Sequence, residues 1–257
     1  MTAEQVRKGG LGVWAPSVMP PIGVDLSDEQ QMAVAFRHLA SIGFAENMAG
    51  HITWQPDGRS DMYVNPWGLW WQELTASDIC VVDEDARVVR GRWDVTPAIH
   101  IHTEIHRHRP DARVVIHNHP YYVSLIAALG TLPELVHQTG ALFLDDMYLV
   151  EKYDGEIDTP WRAAELAEQI GSANLVILAN HGVIATGKDL AAAVYRAVSI
   201  ERVCQLAYDV MVTGRTPTTM NRGDMVGMQA SLIERAADVY WAGAARMTIK
   251  ADPGVLG

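Results

Sequence analysis

Val114-Val115-Ile116-His117-Asn118-His119-Pro120 is the stretch from which the chain is best read. An apolar, β-branched run ends in two histidines one residue apart, and proline stops it. Side chains at i and i+2 of a strand point to the same side, so His117 and His119 present two imidazoles to one point. Alone, the pair reads equally well as two packed, hydrogen-bonded rings. A second segment shifts the balance. Asn174 to Gly187 reads as strand, tight turn and strand, with His181 at the turn followed by Gly182. Three histidines at the ends of buried strands are what a catalytic divalent metal with open coordination positions requires.

The chain has 257 residues, of which 49% are hydrophobic, enough to bury a full core and to exclude disorder. Its formal net charge is −11, and no run of lysine or arginine could track a phosphate backbone. Nucleic acid and anionic membranes are therefore discounted as partners, and a small-molecule substrate is expected. Cys80 and Cys204, the two cysteines, lie far apart in apolar runs and read as buried thiols, which suits the cytoplasm. No stretch has the length of a membrane span or a signal sequence.

Residues 1–24, rich in Gly and Pro, read as an N-terminal arm, and residues 25–257 as one domain. Ser27 is placed to cap a helix whose apolar stripe runs from Met32 to Ile42. His51–Gln55 and Asp61–Asn65 form a hairpin around Pro56-Asp57-Gly58, and Pro66–Trp71 follows as an aromatic loop. Short strands are expected near Ile79–Val82 and Arg87–Val89. A helix is expected from Pro97, in its first turn, to His108, and another over Tyr121–Leu129. Ala141–Val150 reads as a strand and Trp161–Ile170 as an amphipathic helix. Asp189–Thr213 and Asp224–Ala245 read as two long C-terminal helices.

With these motifs in place the chain resembles the class II aldolase/adducin family over roughly Leu26 to Thr213. Met48-Ala-Gly-His-Ile-Thr-Trp54 stands where the family has its "GN-S" loop, and Asn65-Pro-Trp-Gly68 its "TP-G" loop. Arg109-Pro-Asp-Ala-Arg-Val-Val-Ile-His-Asn-His119 matches its metal strand, and Asn180-His-Gly182 the third-ligand turn. The resemblance implies an α/β fold, a three-layer α/β/α sandwich with a mostly antiparallel central sheet. It also implies Zn²⁺, or Mn²⁺ or Fe²⁺, held by His117, His119 and His181, and a homotetramer with active sites at subunit interfaces.

The departures from the family bear on function. The aldolases' acid/base glutamate falls, counting back from His117 without a gap, on Ala98, which can neither take a proton nor bind metal. Their phosphate loops fall on Gly50-His51, Trp67-Gly68 and Thr96-Pro97, where bulky rings replace small donors and Pro97 lacks an amide N–H. With Trp70 and Trp71 nearby, the pocket is expected to suit a flat or apolar substrate.

The favoured reading is a metal-dependent lyase that decarboxylates a hydroxy-aromatic acid. Retro-aldol cleavage, an iron-dependent oxygenase and a non-catalytic adducin-like module are the alternatives. Candidate proton handlers are His102, one turn after Ala98; His51, in a substrate loop; and His137, near the place of a tyrosine donor from an adjacent subunit. Gly50, Trp67, Gly68, Thr96 and Tyr121 are the candidate substrate contacts, although Tyr121 and Tyr122 read first as buried packing. His106, His108, Asp145 and Asp146 read as surface residues, and His100 and Glu104 as structural ones.

Overall fold

The computed structural model describes residues 16, 18–152, 155, 157–231 and 235–257. Most of the expected N-terminal arm, residues 1–15 and 17, therefore lies outside the described residues. Eight strands form one sheet: β1 (His51–Trp54), β2 (Met62–Val64), β3 (Cys80–Val82), β4 (Val88–Arg90), β5 (Val114–Asn118), β6 (Met147–Val150), β7 (Leu175–Leu178) and β8 (Val183–Gly187). Their spatial order is β4-β3-β2-β1-β5-β8-β7-β6. Every neighbouring pair is antiparallel except β6 with β7, so the sheet is mixed but mostly antiparallel.

Seven helices flank it among the described residues: α1 (Asp28–Ser41), α2 (Ile99–His108), α3 (Tyr121–Ala128), α4 (Pro160–Ile170), α5 (Leu190–Val212), α6 (Arg222–Ser231) and α7 (Ala237–Ala251). Strand alternation sorts the two faces. Val114, Ile116, Leu175, Ile177, Val183 and Ala185 pack against α1, α3, α5 and α7. Val115, Val176, Leu178 and Ile184 pack against α2 and α4, through Ile101, Ile105, Leu166 and Ile170. This is the expected three-layer sandwich. Each fully buried aliphatic side chain of this kind contributes about 1.5–3 kcal/mol of transfer free energy.

Local chemistry sets the boundaries. The Ser27 hydroxyl accepts from the Gln30 amide while the Gln30 side chain accepts from the Ser27 amide, a complete capping box at α1. Asp189 caps α5 by accepting from Ala192 N–H at 2.8 Å. The turn between β7 and β8 closes through Leu178 N–H to Gly182 O, 2.9 Å, with Asn180 in the left-handed region at φ 57°.

Three boundaries differ from expectation. Ala141–Val150 is not one strand: residues Gln138–Phe143 form a 3₁₀ turn, and only Met147–Val150 pairs, with β7. Apolar content without alternation misled the reading there. Helix α2 starts at Ile99 with Ala98 as its N-cap, so Pro97 precedes the helix instead of opening it. The expected helix over Asp224–Ala245 starts earlier and ends later: α6 begins at Arg222 and α7 runs on to Ala251, with residues 232–234 between them outside the described set.

Candidate metal centre and its histidine surroundings

Strand β5 carries His117 and ends at Asn118, His119 follows directly, and the β7–β8 turn brings His181 to them. The three rings lie with centroids 4.8–4.9 Å apart, and one ligand nitrogen from each falls within 4.8 Å of the others. Gly182 makes this approach possible. A Cβ there would stand 2.4 Å from His119 Cδ2 and 2.5 Å from the Asn118 carbonyl oxygen, closer than real contacts allow.

Hydrogen bonds fix which nitrogens face inward. His117 Nδ1–H donates to the Val183 carbonyl at 3.0 Å, leaving Nε2 bare. His119 Nδ1–H donates to Glu46 Oε2 at 2.8 Å, which leaves its Nε2 as the nitrogen turned toward the other rings. The two Nε2 atoms face each other at 3.2 Å. Two ring nitrogens that close need a proton or a metal cation between them, and a carboxylate behind a ligating imidazole is the usual support for such a cation. The donor set therefore fits a divalent metal. Burial, followed by the neighbouring rings His51, His119 and His181, holds His117 well below its ordinary pKa. Burial likewise lowers His181 to about 4. Both rings are thus neutral near pH 7, the form that binds metal.

The backbone around the cluster is pinned from several sides. Glu201 of α5 accepts from the amides of Tyr122 and Val123, fastening the start of α3 immediately after His119. Arg109 binds Asp111 and the carbonyls of Gly171 and Ala173, tying the residues ahead of β5 to those ahead of β7. Gly50, at φ 91°, leaves no room for a side chain beside Trp71 and the His117 carbonyl. Trp71 Nε1–H and Asn65 Nδ2–H both donate to the Gly50 carbonyl.

His51 stands directly across from His117 in the β1–β5 register, their rings 4.9 Å apart. On its other side its Nδ1 meets His102 Nε2 at 2.5 Å. His102, in the middle of α2, is fully buried. His51 and His102 are thus brought to the cluster together.

Trp67 is half-exposed, and Gly68 faces open space at φ 96°. Thr96 accepts through its hydroxyl from Ala98 N–H, ahead of α2. His137 is exposed, its Nδ1 accepting from the Thr139 amide. A groove of about 1090 Å³ between α4 and the edge strand β6 reaches His181, lined in part by Tyr148, Trp161 and Leu178.

Several readings are corrected. Trp71 is no pocket wall: it is fully buried in the core, edge-on to Phe36 at 5.0 Å. Tyr121 is exposed at 67%, so the alternative of buried packing fails for it. His106 is not a surface residue but is buried under β1, 4% exposed. Asp146 accepts from the backbone and side-chain amides of Asn174, a structural clamp between β6 and β7. Glu46 was overlooked. Its only sequence signal is an acidic residue in the loop leading to β1, and the fold alone brings it to His119.

Together the fold and the converging imidazoles define a three-layer α/β protein with a three-histidine centre suited to a divalent cation. The family model described as Class II Aldolase and Adducin N-terminal domain matches residues 30–208, and the chain belongs to that family. Among curated relatives, Decarboxylase NovR of Streptomyces niveus is 33% identical over 179 residues, covering 68% of this chain and 66% of that protein. A 4-hydroxy-3-prenylphenylpyruvate oxygenase/4-hydroxy-3-prenylbenzoate synthase of Streptomyces roseochromogenus is also 33% identical over 179 residues, with 68% and 64% covered. The chain spans 53% to 66% of the length of the first such relatives. In fold it is similar to L-fuculose 1-phosphate aldolase from Glaciozyma antarctica, with a TM-score of 0.77 at 23% identity over 89% of this chain and 91% of that one.

Proposed function

We propose that this chain is a metal-dependent carbon–carbon lyase acting on a small oxygenated carboxylate, with decarboxylation of a hydroxy-aromatic acid as its reaction. The observation that carries the reading is a ligand set of imidazoles alone, with Ala98 capping α2 where the aldolases have their glutamate. His117, His119 and His181 would hold the cation, with zinc first and manganese or iron as alternatives. A bound cation would supply Lewis acidity to adjacent oxygens of the substrate, drawing off the electron pair released when a C–C bond breaks. Decarboxylation needs that sink and one proton delivered to the carbon that loses CO₂. It needs no second base, which suits a site with alanine at position 98.

His51 is assigned to proton handling beside the ligands with His102 behind it, and His137 is assigned to a neighbouring subunit's site in a homotetramer. Gly50, Trp67, Gly68, Thr96 and Tyr121 are assigned to the substrate walls, with Tyr121 and Trp67 free to meet a substrate or a second subunit. No helix among the described residues is long and apolar enough to cross a membrane. We place the protein in the cytoplasm.

The similarity to the relative named as a decarboxylase supports this reading. The similarity to the relative named as an oxygenase supports a second, in which iron occupies the same three histidines and O₂ is consumed. Elemental analysis of the purified protein, beside aerobic and anaerobic assays of CO₂ release from hydroxylated aromatic acids, separates them. Zinc or manganese with oxygen-independent CO₂ release is the expected result. Iron with activity only in air would transfer the protein to the oxygenases, and a chain that binds no metal would refute both. His119→Ala is expected to abolish metal binding and activity while leaving the fold intact.

A further inference from the structure

A continuous hydrogen-bonded chain runs from a backbone carbonyl under α2 to the metal centre. His106 Nδ1 lies 2.8 Å from the Ala112 carbonyl oxygen, and His106 Nε2 lies 2.8 Å from Thr53 Oγ1. Thr53 Oγ1 lies 2.7 Å from His102 Nδ1, and His102 Nε2 lies 2.5 Å from His51 Nδ1. All four side chains are buried. His51 and Thr53 share the α2-facing side of β1, and His102 and His106 share the sheet-facing side of α2, one turn apart.

The direction of every bond in this chain follows from its first member. A carbonyl only accepts, so His106 Nδ1 carries a proton and donates it. Burial holds His106 down to about 4, so near pH 7 the ring is neutral and its Nε2 is bare. The Thr53 hydroxyl must then donate to His106, which leaves its oxygen to accept from His102 Nδ1–H. Burial holds His102 neutral as well, so its Nε2 is bare and accepts from His51 Nδ1–H. Buried against the His117 ring, His51 spends its Nδ1–H on His102 and has one nitrogen left to offer, Nε2.

We propose that Thr53, His102 and His106 are positioning residues that hold His51 in its Nδ1–H tautomer, so that His51 Nε2 is a hydrogen-bond acceptor selecting a hydroxyl group on the metal-bound substrate. This deepens the reading of the preceding subsection, on which the substrate class rests, whereas the tautomer rests only on the protein. It also reverses what position 51 would do as a donor: with its proton committed to His102, His51 turns an acceptor to the substrate, which repels a carboxylate oxygen and accepts from an O–H. The substrate carboxylate must find its donors elsewhere, and a hydroxyl next to it becomes the feature that is read. A buried acceptor left without its donor is costly, so an analogue lacking the O–H is rejected.

The tautomer is tested by long-range ¹H–¹⁵N spectra of the metal-free protein at neutral pH, with the rings assigned from His51→Gln, His102→Gln and His106→Gln. The expected result is a protonated Nδ1 and a bare Nε2 on all three rings. Thr53→Val, nearly isosteric, should keep His106 as it is but release His102 and His51 into mixed tautomers, and Thr53→Ser should restore the single one. A protonated Nε2 on His51 of the native protein, or a His51 signal unmoved in Thr53→Val, would overturn the proposal.

The selection is tested by binding of 2-hydroxybenzoate and 2-methoxybenzoate to the metal-loaded protein. A preference for the hydroxyl compound on the order of tenfold or more is expected, shrinking in Thr53→Val and returning in Thr53→Ser. Equal affinity for both compounds would overturn the selective role of His51. If neither binds, the substrate class proposed above fails, and the spectra still decide the tautomer.

Discussion

Acid should unfold this protein through the histidines under β1, and His106 allows the size of the effect to be worked out. Its pKa falls from an ordinary 6.5 to about 4 in the folded chain because burial disfavours the imidazolium, and its hydrogen bond to Ala112 only partly offsets that. The folded value lies below the unfolded one, so on acidification the unfolded chain binds the proton first. The stability this ring contributes is therefore complete above about pH 6.5 and is lost as the pH falls toward 4. At 1.36 kcal/mol per unit, the shift corresponds to about 3 kcal/mol, a large fraction of the stability of an ordinary domain. His102 and His51 shift in the same direction and steepen the same window. The perturbation is His106→Gln, whose amide can still donate to Ala112 and accept from Thr53 but does not titrate. Urea unfolding of the metal-free protein at fixed protein concentration, from pH 7 to pH 4, is the assay. The variant should lose about 3 kcal/mol less than the native protein across that range, whatever its stability at pH 7. Identical losses in both would show that His106 is not held neutral by burial, and the hydrogen-bond directions derived from it would fall with it.

Three further outcomes follow from single contacts. Glu46→Gln keeps an acceptor for His119 Nδ1–H but removes its charge, so metal affinity measured by competition with a chelator should fall by roughly tenfold, the lower end for such supports because Glu46 is largely exposed. Gly182→Ala should cost metal binding more than fold. Its Cβ would need to displace His119 Cδ2 and the Asn118 carbonyl, and isothermal titration should show no high-affinity site while circular dichroism keeps its helical signal. Ser27→Ala should lower unfolding free energy by about 1 kcal/mol by leaving the first turn of α1 uncapped, with metal binding unchanged.

Much of the fold was legible from local chemistry because its elements carry their own boundary signals. Ser27 with Gln30 and the turn residues Pro56-Asp57-Gly58 each act within a few residues of themselves. The segment Ala141–Asp146 carried no such signal, and apolar content alone did not separate a 3₁₀ turn from a strand. The ligands were legible for a related reason. His117 at the end of a strand and His119 just past it keep the strand's two-residue period, and His181 sits at a turn whose glycine marks a close approach.

What lies around the ligands was not legible, because it depends on pairings between segments far apart in sequence. Histidines clustered near the end of a helix look the same whether the helix turns them to solvent or to a sheet. Only the packing of α2 on β1 decides that His106 and His102 are buried and joined through Thr53. Trp71 looked like part of an aromatic pocket until Phe36, from α1, met its ring. Glu46 became the support of His119 only across 73 residues of chain. The sequence by itself determined the strand and turn that present three imidazoles, since residue spacing and backbone periodicity are local properties. The tertiary structure decided which nitrogen of each ring is bare, because that depends on the carbonyl, carboxylate or hydroxyl that other elements bring to the ring's far side.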